Sequence, residues 1–217
     1  KQRLRFVRSG AAQLTPETAG ALLEALSGQS EVKTRLVNSY GMTELMPIAQ
    51  CPMDLKDPLD KVGTVGKPCS GSVLVYDPKT RALKQHTADC SEAPESGEIC
   101  LQSDFMFQGY LGVSEVGSDS YFLSHAGERV FRTGDLGYLD ADGYLFVTGR
   151  LKEMIKRGGE QVDPSGLEAE IRRAVGEEIY AKVFRNLIVF SLPSPLWGEA
   201  VGVAVALREG LAEPQWQ

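Results

Sequence analysis

The sequence has little histidine or cysteine, no surplus of positive charge and no long apolar run, and each shortage removes a class of function. Its two histidines and four cysteines (Cys51, Cys69, Cys90 and Cys100) form neither a CxxC pair nor a His-linked zinc spacing. The cysteines are too sparse for a disulfide framework and read as reduced thiols. With 23 Lys and Arg against 29 Asp and Glu, the net charge is -6. Sequence-independent attraction to nucleic acid or to an anionic membrane surface therefore has no support, and an anionic ligand must be held by local devices. No apolar run approaches the roughly 20 residues of a membrane helix, and the opening KQRLRFVRSG lacks the apolar stretch of a signal peptide. A soluble, cytoplasmic protein is expected. That opening has no initiator Met, and LREGLAEPQWQ stops soon after a strand-like run, so both termini read as cut.

What is present is enough apolar content, 42% of 217 residues, for one domain or one and a fraction. RLRFV reads as a short strand. Thr15 then offers an N-cap, Pro16 opens a helix, and Ala19, Leu22, Leu23 and Leu26 recur at helical spacing up to Gly28. A second strand follows at TRLVNSY, with the chain leaving it after Asn38 in a small-residue bend. Strand, helix and strand suggest the end of an α/β layer over residues 1–60.

From residue 61 to 150 the texture changes to short β-type runs, GTVGKP, SVLVYDP, GEICLQS and YLFVTG, separated by Gly, Pro, Asp and Ser. Residues 78–97 and 112–128 read as connections. In LDADGYLFV, Asp142 and Gly143 supply the turn of a hairpin. Residues 151–217 form a second part, in which Asp163 caps and Pro164 opens a helix with Leu167, Ile171, Ala174 and Val175 on its apolar face, closing at Gly176. Two strands follow, at NLIVFSLP and EAVGVAVAL. The fold class expected is thus α/β: the end of an α/β layer, a small β-rich subdomain, a hinge and an incomplete α+β C-terminal domain.

Thr43 and Glu44 place a hydroxyl beside a carboxylate next to a buried strand. That pair suits a phosphate oxygen and its Mg²⁺, a cation that prefers hard oxygen ligands, and it equally suits a solvated turn. Context comes from several stretches in fixed order: LRFVRSGAAQL, NSYGMTE, GEICLQSDFMFQGYLG, FRTGDLGYLDADGYLFVTGR and LKEMIKRGGEQVDPSGLEAEI. Together they resemble the acyl-adenylate-forming enzymes, which include acyl-CoA synthetases, firefly luciferase and the adenylation domains of peptide synthetases. The resemblance covers nearly the whole chain.

It implies roles position by position. Gly10, Ala11 and Ala12 match a small-residue segment along the acyl pocket and adenine, where bare backbone lets a flat ring approach. Asn38, Ser39, Tyr40 and Gly41 match the nucleotide-binding turn, with the Asn38 amide at the adenine edge and Tyr40 against the base. Thr43 matches the phosphate contact, and Glu44 the Mg²⁺ ligand. Asp135 matches the carboxylate that accepts from the ribose hydroxyls, and Arg150 an arginine at ribose and phosphate. Lys152 falls at the hinge, and Lys156, Gly158 and Gly159 match the loop that approaches the pantetheine of coenzyme A.

The implied reaction joins a small carboxylic acid to ATP as an acyl-adenylate with loss of pyrophosphate, then passes the acyl group to the thiol of coenzyme A. Electrostatic and positional assistance dominate the first step. Two readings stand beside it: a domain that loads a carrier protein, and a truncated remnant that only binds nucleotide. The family's upstream Ser/Thr/Gly-rich phosphate loop and its late adenylation lysine have no counterpart here, so these 217 residues are not expected to catalyse adenylation alone. Gln13 stands where Pro is frequent, and VGEEIYAKVFRN lacks the usual His-Pro segment.

Overall fold

The computed structural model describes residues 5–10, 14, 16–27, 34–52, 61, 63–77, 80–85, 96–112, 122–125 and 127–208. The chain divides into two compact units, Lys1–Val147 and Thr148–Gln217.

In the first unit, strand β1 (Phe6–Ser9) pairs in parallel with β2 (Arg35–Met42), Ser9 lying opposite Asn38. Helix α1 (Pro16–Ser27) lies between them in sequence, with Ala19 buried. Thr15, the expected cap, and Gly28, the expected stop, fall outside the described residues. β2 does not end at Asn38. It runs on through Gly41 to Met42, turns at Thr43 and Glu44, and returns antiparallel as β3 (Leu45–Gln50). The expected bend is instead an irregularity in the ladder: Tyr40 faces Ala49 and Met42 faces Leu45, so Gly41 alone lies opposite Met46, Pro47 and Ile48. A small residue suits that place, because a Cβ on Gly41 would stand 3.2 Å from Met46 Cγ.

The β-rich part contributes β4 (Thr64–Pro68), β5 (Ser72–Asp77), β6 (Ala82–Gln85), β7 (Gly97–Gln102), β8 (Phe122–His125), β9 (Glu128–Leu139) and β10 (Leu145–Arg150). β6 and β8 lie inside stretches expected to be connections. Both are four-residue strands held by a longer neighbour, β6 on β5 and β8 on β9, which local polarity cannot foretell. All join one ten-stranded sheet of order β1-β2-β3-β4-β10-β9-β7-β5-β6, with β8 beside β9. The core is Leu45, Ile48, Ala49, Val73, Ile99, Leu101, Phe131 and Leu145. The turn before β10 is the one anticipated: Gly143 N donates to Asp140 O at 2.9 Å, and Gly143 has φ +78°. Lys61 clamps it with Nζ 2.6 Å from Asp140 and 2.7 Å from Asp142.

At Gly66 the strands β3, β4 and β10 meet. Its φ is +97°, and a Cβ there would lie 1.9 Å from the Gln50 carbonyl carbon. Thr64 Oγ1 donates to Leu145 O at 2.7 Å and accepts from Gly66 N at 3.1 Å, spanning the register shift between β4 and β10.

The second unit opens with the last residues of β10, Thr148 to Arg150, then one turn of 3-10 helix, Leu151–Glu153, β11 (Ile155–Arg157) and β12 (Glu160–Val162). Helix α2 (Pro164–Val175) has the expected ends: the Asp163 carboxylate accepts from Ser165 N and Gly166 N, and Gly176 closes it at φ +87°. Helix α3 (Glu177–Val183) forms where no element was read, because Gly176 serves twice, its carbonyl accepting from Tyr180 N at 2.9 Å. β13 (Phe184–Ser194) and β14 (Gly198–Leu207) complete a sheet of order β12-β11-β14-β13 over a core of Ile155, Leu187 and Val189. The expected succession of α/β layer end, β-rich part and small α+β unit is the one found. No helix among the described residues is long and apolar enough to cross a membrane.

Substituting Gly66→Ala is expected to destabilise the chain by more than about 3 kcal/mol, because positive φ and backbone overlap act together. Urea unfolding reads this, and an unshifted midpoint would show that the positive φ at Gly66 is not needed.

Candidate nucleotide site

Six of the proposed nucleotide-binding positions lie on β2, its turn and the end of β1. Ser39 fastens the two strands: its hydroxyl donates to Ser9 O at 3.0 Å and accepts from Arg8 Nε at 3.1 Å. Gly10 lies against it, since a Cβ on Gly10 would stand 3.1 Å from Ser39 Oγ. Ala11 and Ala12 lie outside the described residues. Asn38 is buried and structurally engaged, with Nδ2 donating to Thr64 O at 2.9 Å and Oδ1 accepting from Ser39 N at 3.1 Å. Its amide therefore orders β2 against β4, and this anchoring is a role that the sequence reading did not assign.

Tyr40 and Asp135 meet across 95 residues of sequence, the Tyr40 hydroxyl donating to Asp135 Oδ2 at 2.5 Å. Asp135 is only 7% exposed. A buried carboxylate needs donors, and a charge-assisted bond from a phenol is among the stronger ones. It offers about four acceptor sites, so a donor such as Tyr40 does not exhaust its capacity for a diol.

Thr43 is exposed at the tip of the β2–β3 hairpin, and Glu44 is half-buried beside it. The segment after β7 grips Glu44 twice. Phe107 N donates to Glu44 O at 3.0 Å, and the Tyr110 hydroxyl donates to Glu44 Oε1 at 2.5 Å. Phe107 packs edge-on against Tyr110, with ring centroids 4.8 Å apart. Mg²⁺ keeps several waters and takes one or two protein carboxylates beside phosphate oxygens. Glu44 fits that requirement as a single ligand, and no cluster of three or more His, Cys, Asp or Glu able to hold a metal occurs among the described residues.

The remaining candidates belong to the second unit. Arg150 ends β10 and precedes the 3-10 turn, exposed, with φ −125° and ψ 137°. Lys152 is exposed within that turn. Lys156 is exposed on β11, its backbone N donating to a Glu199 carboxylate oxygen at 2.5 Å. Gly158 and Gly159 form the two-residue turn between β11 and β12 at φ +59° and +94°, a hairpin geometry that demands positive φ at both positions. Gly158 has a second constraint. Its N donates to Trp197 O at 2.9 Å, and a Cβ would stand 2.7 Å from Trp197 Cε3. Arg157 lies over the same indole, 4.8 Å from the ring.

Sequence reasoning passed over Tyr110, Trp197 and Glu98. Nothing in the local pattern marks the first two, whose hydrogen-bond partners Glu44 and Gly158 are distant in sequence. Glu98 carried a signal: it is a lone carboxylate in a strand otherwise apolar from Gly97 to Leu101, and it is 3% exposed. Arg132 pairs with it at 2.6 Å, and the bond holds the guanidinium more firmly protonated than usual. Burial, and then the Glu98 charge, push the neighbouring Cys100 thiol up to about 12, with Arg132 acting in the opposite direction. Cys100 is thus an inert core thiol.

The first unit thus carries a short parallel strand pair, a buried carboxylate met by a tyrosine, and a hydroxyl–carboxylate hairpin tip within an α/β fold. The chain belongs to the AMP-binding enzyme family, which matches residues 1–111. It is similar to the oxalate–CoA ligase of Arabidopsis thaliana, 30% identical over 209 residues, an overlap of 96% of this chain and 35% of that protein. The sulfoacetate–CoA ligase of Cupriavidus necator is 34% identical over 212 residues, covering 95% and 35% respectively. Among solved structures, ATP-bound MatB from Rhodopseudomonas palustris matches with TM-score 0.71 and 28% identity, over 95% of this chain and 36% of that one. The chain therefore spans about a third of the length of these curated relatives, 35% in both cases.

Replacing Tyr40→Phe removes a donor to a buried carboxylate and is expected to cost about 1–3 kcal/mol of stability. Urea titration at unchanged slope measures it, and an unmoved midpoint would mean that the contact contributes nothing.

Proposed function

We propose that this chain is the nucleotide-cradling part of an ATP-dependent, AMP-forming acid–thiol ligase that activates a small carboxylic acid and passes it to coenzyme A. The observation that supports this best is the meeting of Tyr40 with Asp135. In the proposed site Tyr40 lies against adenine, Asp135 accepts from the ribose hydroxyls, and Gly10 and Gly41 lend their backbone to the nucleotide-binding segment. Thr43 donates to a phosphate oxygen, and Glu44, steadied by Tyr110, offers an oxygen to Mg²⁺. ATP with its cation supplies the electrophilic α-phosphorus, which the substrate carboxylate attacks as pyrophosphate departs. Fixed donors and charges of the chain assist by position rather than by covalent chemistry.

For the second half-reaction, Lys152 is proposed as the hinge and Arg150 as a ribose and phosphate contact. Lys156 and the Gly158–Gly159 turn are proposed to approach the pantetheine arm. The relatives named above are CoA ligases for different acids, which favours coenzyme A as acceptor and leaves the acid defined only as a class. A carrier-protein acceptor gains no support from them. The grip on the β- and γ-phosphates is proposed to come from chain outside these 217 residues.

Calorimetry of AMP with the 217-residue chain tests the site. Asp135→Ala is expected to weaken binding about tenfold or more, as loss of a charged acceptor does, while Asp142→Ala leaves it unchanged. Equal affinity of Asp135→Ala and the unaltered chain would overturn the ribose assignment.

A further inference from the structure

We propose that Glu98 is the positioning residue for Asp135: its buried carboxylate holds the Arg132–Asp135 segment in the bulge that presents Asp135 to Tyr40. The step from there to ribose recognition rests on the nucleotide reading above.

The ladder between β7 and β9 breaks at this point. Cys100 faces Arg132, but Glu98 faces Leu136, so Ile99 alone stands opposite Thr133, Gly134 and Asp135. A bulge of this kind forfeits ladder hydrogen bonds and re-aims the side chains that it carries. Here side chains replace the lost partners. Thr133 Oγ1 donates to Ile99 O at 2.7 Å and accepts from Asp135 N at 3.0 Å. Glu98 Oε1 accepts from Gly134 N at 3.2 Å, at a glycine with φ +75°. Glu98 Oε2 takes Arg132 Nε at 2.9 Å and Nη2 at 2.6 Å.

Both carboxylate oxygens are thus committed to the bulge, one to each end of the Arg132–Thr133–Gly134 turn. A charge buried in an apolar strand is not needed for packing, since replacing such a pair by apolar residues is often neutral or stabilising. What the pair gives is direction. Two anchors fix the backbone immediately before Asp135, and a strand that relaxed to regular pairing would slide by two residues, about 7 Å along its axis, and carry Asp135 with it.

The test uses Glu98→Gln and the double variant Glu98→Met/Arg132→Met in the 217-residue chain. Gln has one acceptor oxygen and can hold Arg132 or Gly134 but not both, and the double variant keeps an apolar core while removing both anchors. The first readout needs no nucleotide: the Tyr40 hydroxyl proton by NMR, which its bond to Asp135 is expected to protect from exchange, with cooperative unfolding checked alongside. That resonance is expected to be lost in the double variant and weakened in Glu98→Gln. The second readout is the affinity for adenosine relative to 2′,3′-dideoxyadenosine, a preference expected to fall about tenfold as the ribose acceptor is displaced. Cooperatively folded variants that retain both the resonance and the preference would overturn the proposal. Loss of the resonance in variants of a chain that never discriminated the two nucleosides would uphold the positioning role and remove the ribose reading instead.

Discussion

Asp135 is a carboxylate held almost out of water, and most of the first unit can be understood as what is required to keep it there with a tyrosine hydroxyl at its side. In the sheet order, β2 and β9 are four strand intervals apart. At about 4.8 Å per interval a flat sheet would separate them by roughly 19 Å, well beyond the reach of a tyrosine. The 2.5 Å contact between Tyr40 and Asp135 therefore requires a sheet that coils strongly between those strands. Gly66, at positive φ where β3, β4 and β10 converge, and the shifted β4–β10 register are the local devices that permit the coil. Asn38 and Thr64 secure the coil from inside by side-chain bonds to backbone carbonyls.

The same logic of side chains standing in for backbone partners recurs around the candidate site. Ser39 bonds the end of β1 and Thr133 and Glu98 bond the bulge in β9, while at the hairpin tip the Tyr110 hydroxyl bonds the Glu44 carboxylate beside a backbone bond from Phe107 N. The end of β1, the bulge and the hairpin tip are places where regular pairing stops or shifts, and a polar group stands at each. Regular strands alone would alternate side chains strictly and could not gather these groups. The Glu98–Arg132 pair, with its carboxylate buried and its guanidinium half-buried, contributes less to stability than its 2.6 Å distance suggests, because desolvation of the carboxylate offsets much of the attraction. Its value lies in geometry.

In the second unit a comparable economy links Gly158 and Trp197. The Gly-Gly turn was read as a place for close backbone approach by a ligand. The turn also has an internal reason, because the indole of Trp197 already occupies the space that a Cβ on Gly158 would fill. The two reasons are compatible, since Gly159 has no atom within 4 Å of its own Cβ direction and remains open on that side.

The local elements of this chain were determined by the sequence wherever a short-range pattern controlled them. The Asp163-Pro164 start and Gly176 stop of α2, the Asp142-Gly143 turn and the apolar runs of β5, β7, β13 and β14 all rest on neighbours within a few residues, so their physics is visible in one dimension. The family resemblance likewise rests on motifs that survive as words. Tertiary structure decided what depends on partners far along the chain. The four-residue strands β6 and β8 exist because longer strands pair with them, and β2 runs past Asn38 because β3 returns against it. Tyr40 reaches Asp135 only through a coiled sheet, and Glu98 meets Gly134 only at a bulge. Such contacts leave no periodic trace in the sequence, because what sets them is register and curvature, properties of strands after they have paired.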